Sequence, residues 1–237
     1  MFKNKINEYK NEAVELLKSL ISYKSVLDEY NPNSDAPFGV ENKRVLQYLL
    51  NKAQEDGFIT KNTDNYAGHI EYGSGEEILG VLGHLDVVPV VESEWDSNPF
   101  ELSIRDGKMF ARGAIDDKGP LAASYIALKI LKDMGFKPNK RIRLIVGCDE
   151  ESGSRCLHHY FKTEKKPALG FSPDAEFPLI YGEKAMLSYD IYANVNDDIF
   201  LDFKCGDRYR MIALPFHHRL MGIQHLVKSL MLASFLF

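Results

Sequence analysis

The chain has 237 residues, enough for one large domain or one and a half ordinary ones, and 45% of them are hydrophobic, which supports a packed core and excludes disorder as the default. A formal charge of −5 excludes a nucleic-acid-binding surface, which needs clustered Lys and Arg; the basic stretch from Lys162 to Lys166 is broken by Glu164 and reads as a solvated face. Three cysteines, Cys148, Cys156 and Cys205, form no CxxC pair and give no disulfide framework. Met1 to Lys10 is polar and lacks the apolar core of a signal peptide, so the expected location is the cytoplasm.

In chain order, Val14, Leu17, Leu20 and Ile21 recur at helical spacing and predict a helix from Ile6 to Ser22. Asn31 to Pro37 is a loop by composition. A second helix is predicted from Asn42 to Glu55, stopped by Gly57. Ala67 to Tyr72 and Glu77 to Gly83 read as neighbouring strands turned by Gly73-Ser74-Gly75. Strand-like pieces follow around Leu102 to Ile104 and Lys108 to Arg112. Pro120 to Met134 predicts a strong helix, with the proline in its first turn and Gly135 at its end. Arg141 to Cys148 predicts a strand, Ser154 to Phe161 a helix, and Ala168 to Phe171 another strand. Ala185 to Val195 alternates again, and Ile199 to Lys204 could begin a further strand. This order predicts an α/β fold, a mainly parallel sheet flanked by helices.

Acidic residues and one histidine stand at the ends of the apolar runs. His84 and Asp86 follow Ile78 to Leu82, Asp116 and Asp117 follow Met109 to Gly113, Glu150 and Glu151 follow Ile142 to Val146, and Asp174 follows Ala168 to Phe171. Each piece alone has an ordinary reading. A His-x-Asp imidazole is usually just hydrogen-bonded, paired acids are usually a solvated turn, Glu150-Glu151 could cap a helix, and Asp174 after Pro173 suits a turn. Four strand ends with the same kind of ligand are hard to attribute to solvation. In a parallel sheet ligands collect beyond the carboxyl ends of the strands, and convergent carboxylates and imidazoles suit a pair of divalent cations.

Five segments carry a resemblance: GHLDVVPV (Gly83 to Val90), WDSNPF (Trp95 to Phe100), ARGAIDDKGP (Ala111 to Pro120), GCDEESGS (Gly147 to Ser154) and FSPDAEFP (Phe171 to Pro178). Together they resemble the dinuclear zinc peptidases related to aminoacylase, carnosinase and succinyl-diaminopimelate desuccinylase. FSPDAEFP and WDSNPF are most similar to the peptidase V type of dipeptidase. The resemblance implies that His84 ligates one zinc, that Asp86 accepts the other imidazole N–H, and that Asp116 bridges both metals, with a cis peptide between Asp116 and Asp117. It implies Glu150 as general base, Glu151 as a ligand of the second zinc and Asp174 as a ligand of the first. The implied cofactor is two Zn²⁺ ions, with Mn²⁺ or Co²⁺ as substitutes. The implied reaction is hydrolysis of dipeptides by a metal-bridging water that Glu150 deprotonates. The partner is then a small peptide, with no nucleic acid and no membrane. Gly113 and Gly119 are expected to permit tight turns near the metals, and Trp95, Phe100 and Cys148 to be packing residues.

The resemblance also implies a longer chain, with a lid domain and a returning segment that carries another zinc-binding histidine. Expected domains are 1–187, a partial catalytic domain; 188–211, the start of a small α+β lid; and 212–237, an atypical tail. The similarity fades after Phe203 to Met211, and Ile212 to Phe237 reads as the product of a frameshift or truncation. Leu226 to Phe237 is apolar but too short to span a bilayer. His217, His218 and His225 are not expected to serve as replacement ligands, since Pro215 to Arg219 offers no braced element. One site then keeps His84, Asp116 and Asp174, the other only Asp116 and Glu151, so unequal metal affinities are expected. The alternative is a catalytically inactive remnant lacking the lid and the last histidine; a third reading, a binding module, rests on the tail alone. An incomplete sheet is expected to leave an exposed edge and apolar surface.

Overall fold

The computed structural model describes residues 2–176, 178–182, 200–204 and 217–220. The chain divides into two compact units, Met1–Ile180 and Tyr181–Phe237. The first contains helices α1 (Phe2–Ile21) and α2 (Val40–Glu55), strands β1 (Ile59–Thr63), β2 (Ala67–Tyr72) and β3 (Ile78–His84), the short strands β4 (Ser103–Arg105) and β5 (Lys108–Phe110), helix α3 (Lys118–Asp133), strand β6 (Arg141–Gly147), helix α4 (Arg155–Tyr160) and strand β7 (Leu169–Phe171). The second contains strands β8 (Phe200–Lys204) and β9 (His217–Leu220), paired antiparallel. The expected alternation from Ala185 to Val195 and the tail after Leu220 lie outside the described residues. No described helix is long and apolar enough to cross a membrane.

Five strands form the main sheet in the order β1-β2-β6-β3-β7. The β3–β6 and β3–β7 pairs are parallel, whereas β1–β2 and β2–β6 are antiparallel. The parallel part is the half that carries the strand ends of interest. Helices lie on both faces, because alternate residues of β2 point opposite ways. Gly68 lies against Leu50 of α2, while the next residue, His69, meets Tyr160 of α4. The core joins Leu17, Leu20 and Ile21 of α1, Val45, Leu46 and Leu49 of α2, Leu121 and Tyr125 of α3, and Leu144 and Val146 of β6.

One expectation is corrected. β2 and β3 are not adjacent, since β6 lies between them and pairs with both along its length. The reason is that β6, buried without a break from Arg143 to Gly147, packs with a strand on each side and takes the centre. The 73–77 connection passes beneath it, with Gly73 and Gly75 tight against Pro138 to Lys140. β1 escapes the pattern because Ile-Thr-Lys-Asn-Thr is polar and mostly exposed. On the opposite edge, Leu169 and Phe171 of β7 are 54% and 57% exposed, which is the apolar edge expected of the sheet.

The α4 face of the sheet holds a buried polar network. Arg143 Nε donates to Glu71 at 2.7 Å, Arg143 lies 3.5 Å from Glu164, and the Tyr160 hydroxyl lies 2.7 Å from His69 Nδ1. Burial, then the nearby Arg143 cation, pulls the His69 pKa down to about 4. His69 is therefore neutral when folded and charges more readily when unfolded. Its contribution to stability is complete above about pH 6.5 and is lost as pH falls from there towards 4, a loss of roughly 3 kcal/mol. Denaturant unfolding at pH 7 and pH 4.5 is expected to show this slope in the wild type and a weaker one in His69→Gln. Equal slopes would contradict the assignment.

Candidate metal centre

His84 ends β3 and is 2% exposed. The chain just beyond it is fixed from several sides. Leu85 N–H donates to the Gly147 carbonyl at 2.9 Å, and the Ser25 hydroxyl donates to the Leu85 carbonyl at 2.6 Å. The imidazole therefore projects from a braced strand end, beside the parallel strand end of β6.

Three carboxylates surround His84 Nε2. Asp116 Oδ1 lies at 3.1 Å, Asp174 Oδ2 at 3.3 Å and Glu150 Oε2 at 3.9 Å. They arrive from three places in the chain: the loop before α3, the segment after β7 and the turn after β6. Two triads have donor atoms close enough for one cation, His84–Glu150–Asp174 and His84–Asp116–Glu151, with all such atoms within 4.8 Å of one another. The structure thus brings together His84, Asp116, Glu150, Glu151 and Asp174, with Glu150 lying beside Asp174.

Asp86, 1% exposed, sits just behind them. His84 Nδ1 is 2.9 Å from the Asp86 backbone carbonyl and 3.4 Å from its carboxylate. The carboxylate itself accepts the Glu150 and Glu151 backbone N–H groups, each at 3.1 Å. Asp86 therefore meets the imidazole through both its carbonyl and its carboxylate, and the carboxylate also holds the Glu150–Glu151 turn.

The Asp116–Asp117 peptide is cis. Asp117 is fully buried and accepts the His84 backbone N–H at 3.0 Å; burial raises its pKa to about 7. Lys118, also fully buried, donates from Nζ to the Leu20 and Tyr23 carbonyls, both at 2.9 Å, and so ties this loop to the end of α1. Two glycines let the loop close. Gly113 has φ +85, and a Cβ on Gly119 would stand 2.0 Å from the Ala114 carbonyl oxygen. Phe100 and Cys148 are buried, and Cys148 and Cys156 are free thiols. Trp95 is partly buried under the Arg112 guanidinium, 5.4 Å away. Sequence reasoning missed Lys118 and Asp149, because a lysine or aspartate inside a charged motif gives no sign of being buried.

The electrostatics favour a cation. Among the described residues, no lysine or arginine pairs with Asp116, Glu150, Glu151 or Asp174. Burial, then the Asp116 charge, pushes the Glu151 pKa up to about 7, and burial raises Glu150 as well. Burial pulls the His84 imidazole down, but hydrogen bonds to Asp116, Asp174 and Asp86 outweigh it and hold it far above its ordinary range. Crowded carboxylates around one imidazole form a donor set that fits divalent metal, which would take the place of the proton on the ring. His217 and His218 lie in β9 of the other unit, and His225 lies outside the described residues.

An α/β sheet that gathers such donors at its parallel strand ends defines the class: a domain with a candidate divalent-metal centre. The chain belongs to peptidase family M20/M25/M40, whose family model matches residues 80–218. A protein named "Putative dipeptidase" from Staphylococcus epidermidis is 47% identical over 219 residues, covering 90% of this chain and 46% of the relative. A similarly named protein from Staphylococcus aureus (strain bovine RF122 / ET3-1) is 44% identical over the same length and coverage. The chain thus spans about half the length of these relatives. Among solved structures, human carnosine dipeptidase 1 superposes with a TM-score of 0.58 at 26% identity, over 66% of this chain and 36% of that one. The dipeptidase Dug1p from Saccharomyces cerevisiae gives 0.56 at 26%, over 67% and 36%. A metallo-carboxypeptidase of the M20 family from Sulfolobus solfataricus gives 0.53 at 26%, over 64% and 34%.

Proposed function

We propose that this chain carries the metal-binding part of a zinc-dependent dipeptidase. The observation that supports this best is the convergence of Asp116, Asp174 and Glu150 within 3.9 Å of His84 Nε2, with no lysine or arginine ion-paired to them among the described residues. His84, Asp116 and Asp174 would hold one ion; Asp116 and Glu151 would hold a second. Bound zinc supplies a Lewis acid for the scissile carbonyl and acidifies water at neutral pH; manganese or cobalt offers similar chemistry.

Glu150 is the base. Its side chain is 44% exposed, beside the imidazole but open to an entering peptide. It takes a proton from the attacking water and returns it to the leaving amine, so one water is consumed and an acid and an amine are released. Asp86 keeps the Glu150–Glu151 turn in place through two N–H acceptances. The substrate is a small peptide, by analogy with the named relatives, and the proposed location is the cytoplasm, on composition. Residues 1–187 form the proposed catalytic portion and 188–211 the start of the lid.

Hydrolysis of a simple dipeptide with added zinc is expected, and its loss on chelation. A folded, zinc-loaded sample with no turnover would overturn the reading. Calorimetric titration is expected to show one tight and one weaker ion, because this assignment gives one site three ligands, His84, Asp116 and Asp174, and the other only Asp116 and Glu151 among the described residues. Two equal tight ions would contradict that division.

A further inference from the structure

The turn between β6 and α4 must present two adjacent glutamates towards His84. Asp86 grips it from one side through the Glu150 and Glu151 N–H groups. The other side is held by Asp149, whose side chain is fully buried although it stands next to these acids. Its Oδ2 accepts from Arg155 Nε at 2.7 Å and from the Arg155 backbone N–H at 3.0 Å, and its Oδ1 accepts from Arg155 Nη2 at 2.6 Å. The Asp149 carbonyl also accepts the Ser154 N–H at 2.7 Å. The guanidinium is itself seated, its carbon 4.3 Å from the Tyr30 ring and 5.6 Å from the Phe38 ring, and those two rings stack at 5.4 Å.

We infer that the Asp149–Arg155 pair positions Glu150 and Glu151. A bidentate guanidinium–carboxylate pair fixes both distance and plane, which a single lysine contact does not. Here it clamps the first residue of the turn to the first residue of α4, so everything between is a closed loop. Tyr30 and Phe38 anchor that clamp to the 23–39 segment. Neither residue of the pair reaches His84, so the role is positioning and not chemistry.

The inference rests on the metal-centre reading for its consequence, but its first readout does not. In metal-free protein, amide hydrogen exchange at Glu150 and Glu151 is expected to speed up by about tenfold or more in Arg155→Met, while amides of β2 and β6 keep their rates. Zinc affinity is expected to fall by about tenfold, with Arg155→Lys intermediate in both measurements because charge remains but the fork is lost. Should Arg155→Met fail to fold, Arg155→Lys carries the comparison alone. Unchanged exchange in a folded variant would overturn the positioning role. Faster exchange with wild-type zinc affinity would overturn its link to the ligands. If the wild type binds no zinc, the metal-centre reading fails, while the exchange comparison still decides whether the pair holds the turn.

Discussion

His84→Ala is expected to weaken zinc binding by about a hundredfold or more and to leave the fold intact. The size of the effect follows from the geometry, since both candidate triads share His84 as their one neutral-capable nitrogen donor. The remaining donors are all carboxylates, which suit harder cations. Removal also opens space at a strand end that is otherwise buried, so a modest loss of stability accompanies the change. Calorimetric titration with zinc, alongside thermal unfolding of the metal-free protein, separates the two effects. Near-wild-type affinity in a folded His84→Ala chain would mean that zinc is held elsewhere.

Glu150→Gln carries the second large effect. The change keeps the size of the side chain and its backbone contact to Asp86 but removes the ability to accept and return a proton. Turnover of a dipeptide is expected to fall by about a hundredfold to ten-thousandfold relative to the zinc-loaded wild type, with zinc affinity within a few-fold. The structure makes the comparison informative, because Glu150 also lies in a triad with His84 and Asp174. If affinity falls as steeply as turnover, Glu150 acts as a ligand and the base is another group. If turnover survives, Glu150 has neither role.

Much of this was legible in the sequence, for a physical reason. A strand buried on both faces reads as an apolar run, so Ile78 to Leu82 and Leu144 to Val146 announced themselves, and a polar residue at the end of such a run is conspicuous. The helix at Val40–Glu55 showed through the spacing of Leu46, Leu49 and Leu50, and the one at Lys118–Asp133 through Pro120 in its first turn and Gly135 just past its end. Strand order was not legible, because β6 enters between β2 and β3 from a distant part of the chain and no local pattern records that. Burial of charge was equally silent. Lys118, Asp149 and Arg143 look like surface residues by type, and only their partners, two backbone carbonyls, Arg155 and Glu71, show how they are satisfied. Asp86 illustrates the intermediate case. Its place beside His84 was readable, but its two acceptances from Glu150 and Glu151 depend on a turn that lies far along the chain.

Anomalous diffraction at the zinc edge, from crystals of this chain grown with zinc, tests the shared-ion account most directly. The account predicts a strong peak within coordination distance of His84 Nε2 and the Asp116 and Asp174 carboxylates, and a weaker one towards Glu151. Ordered zinc bound only at other residues, with these donors left bare, would contradict it.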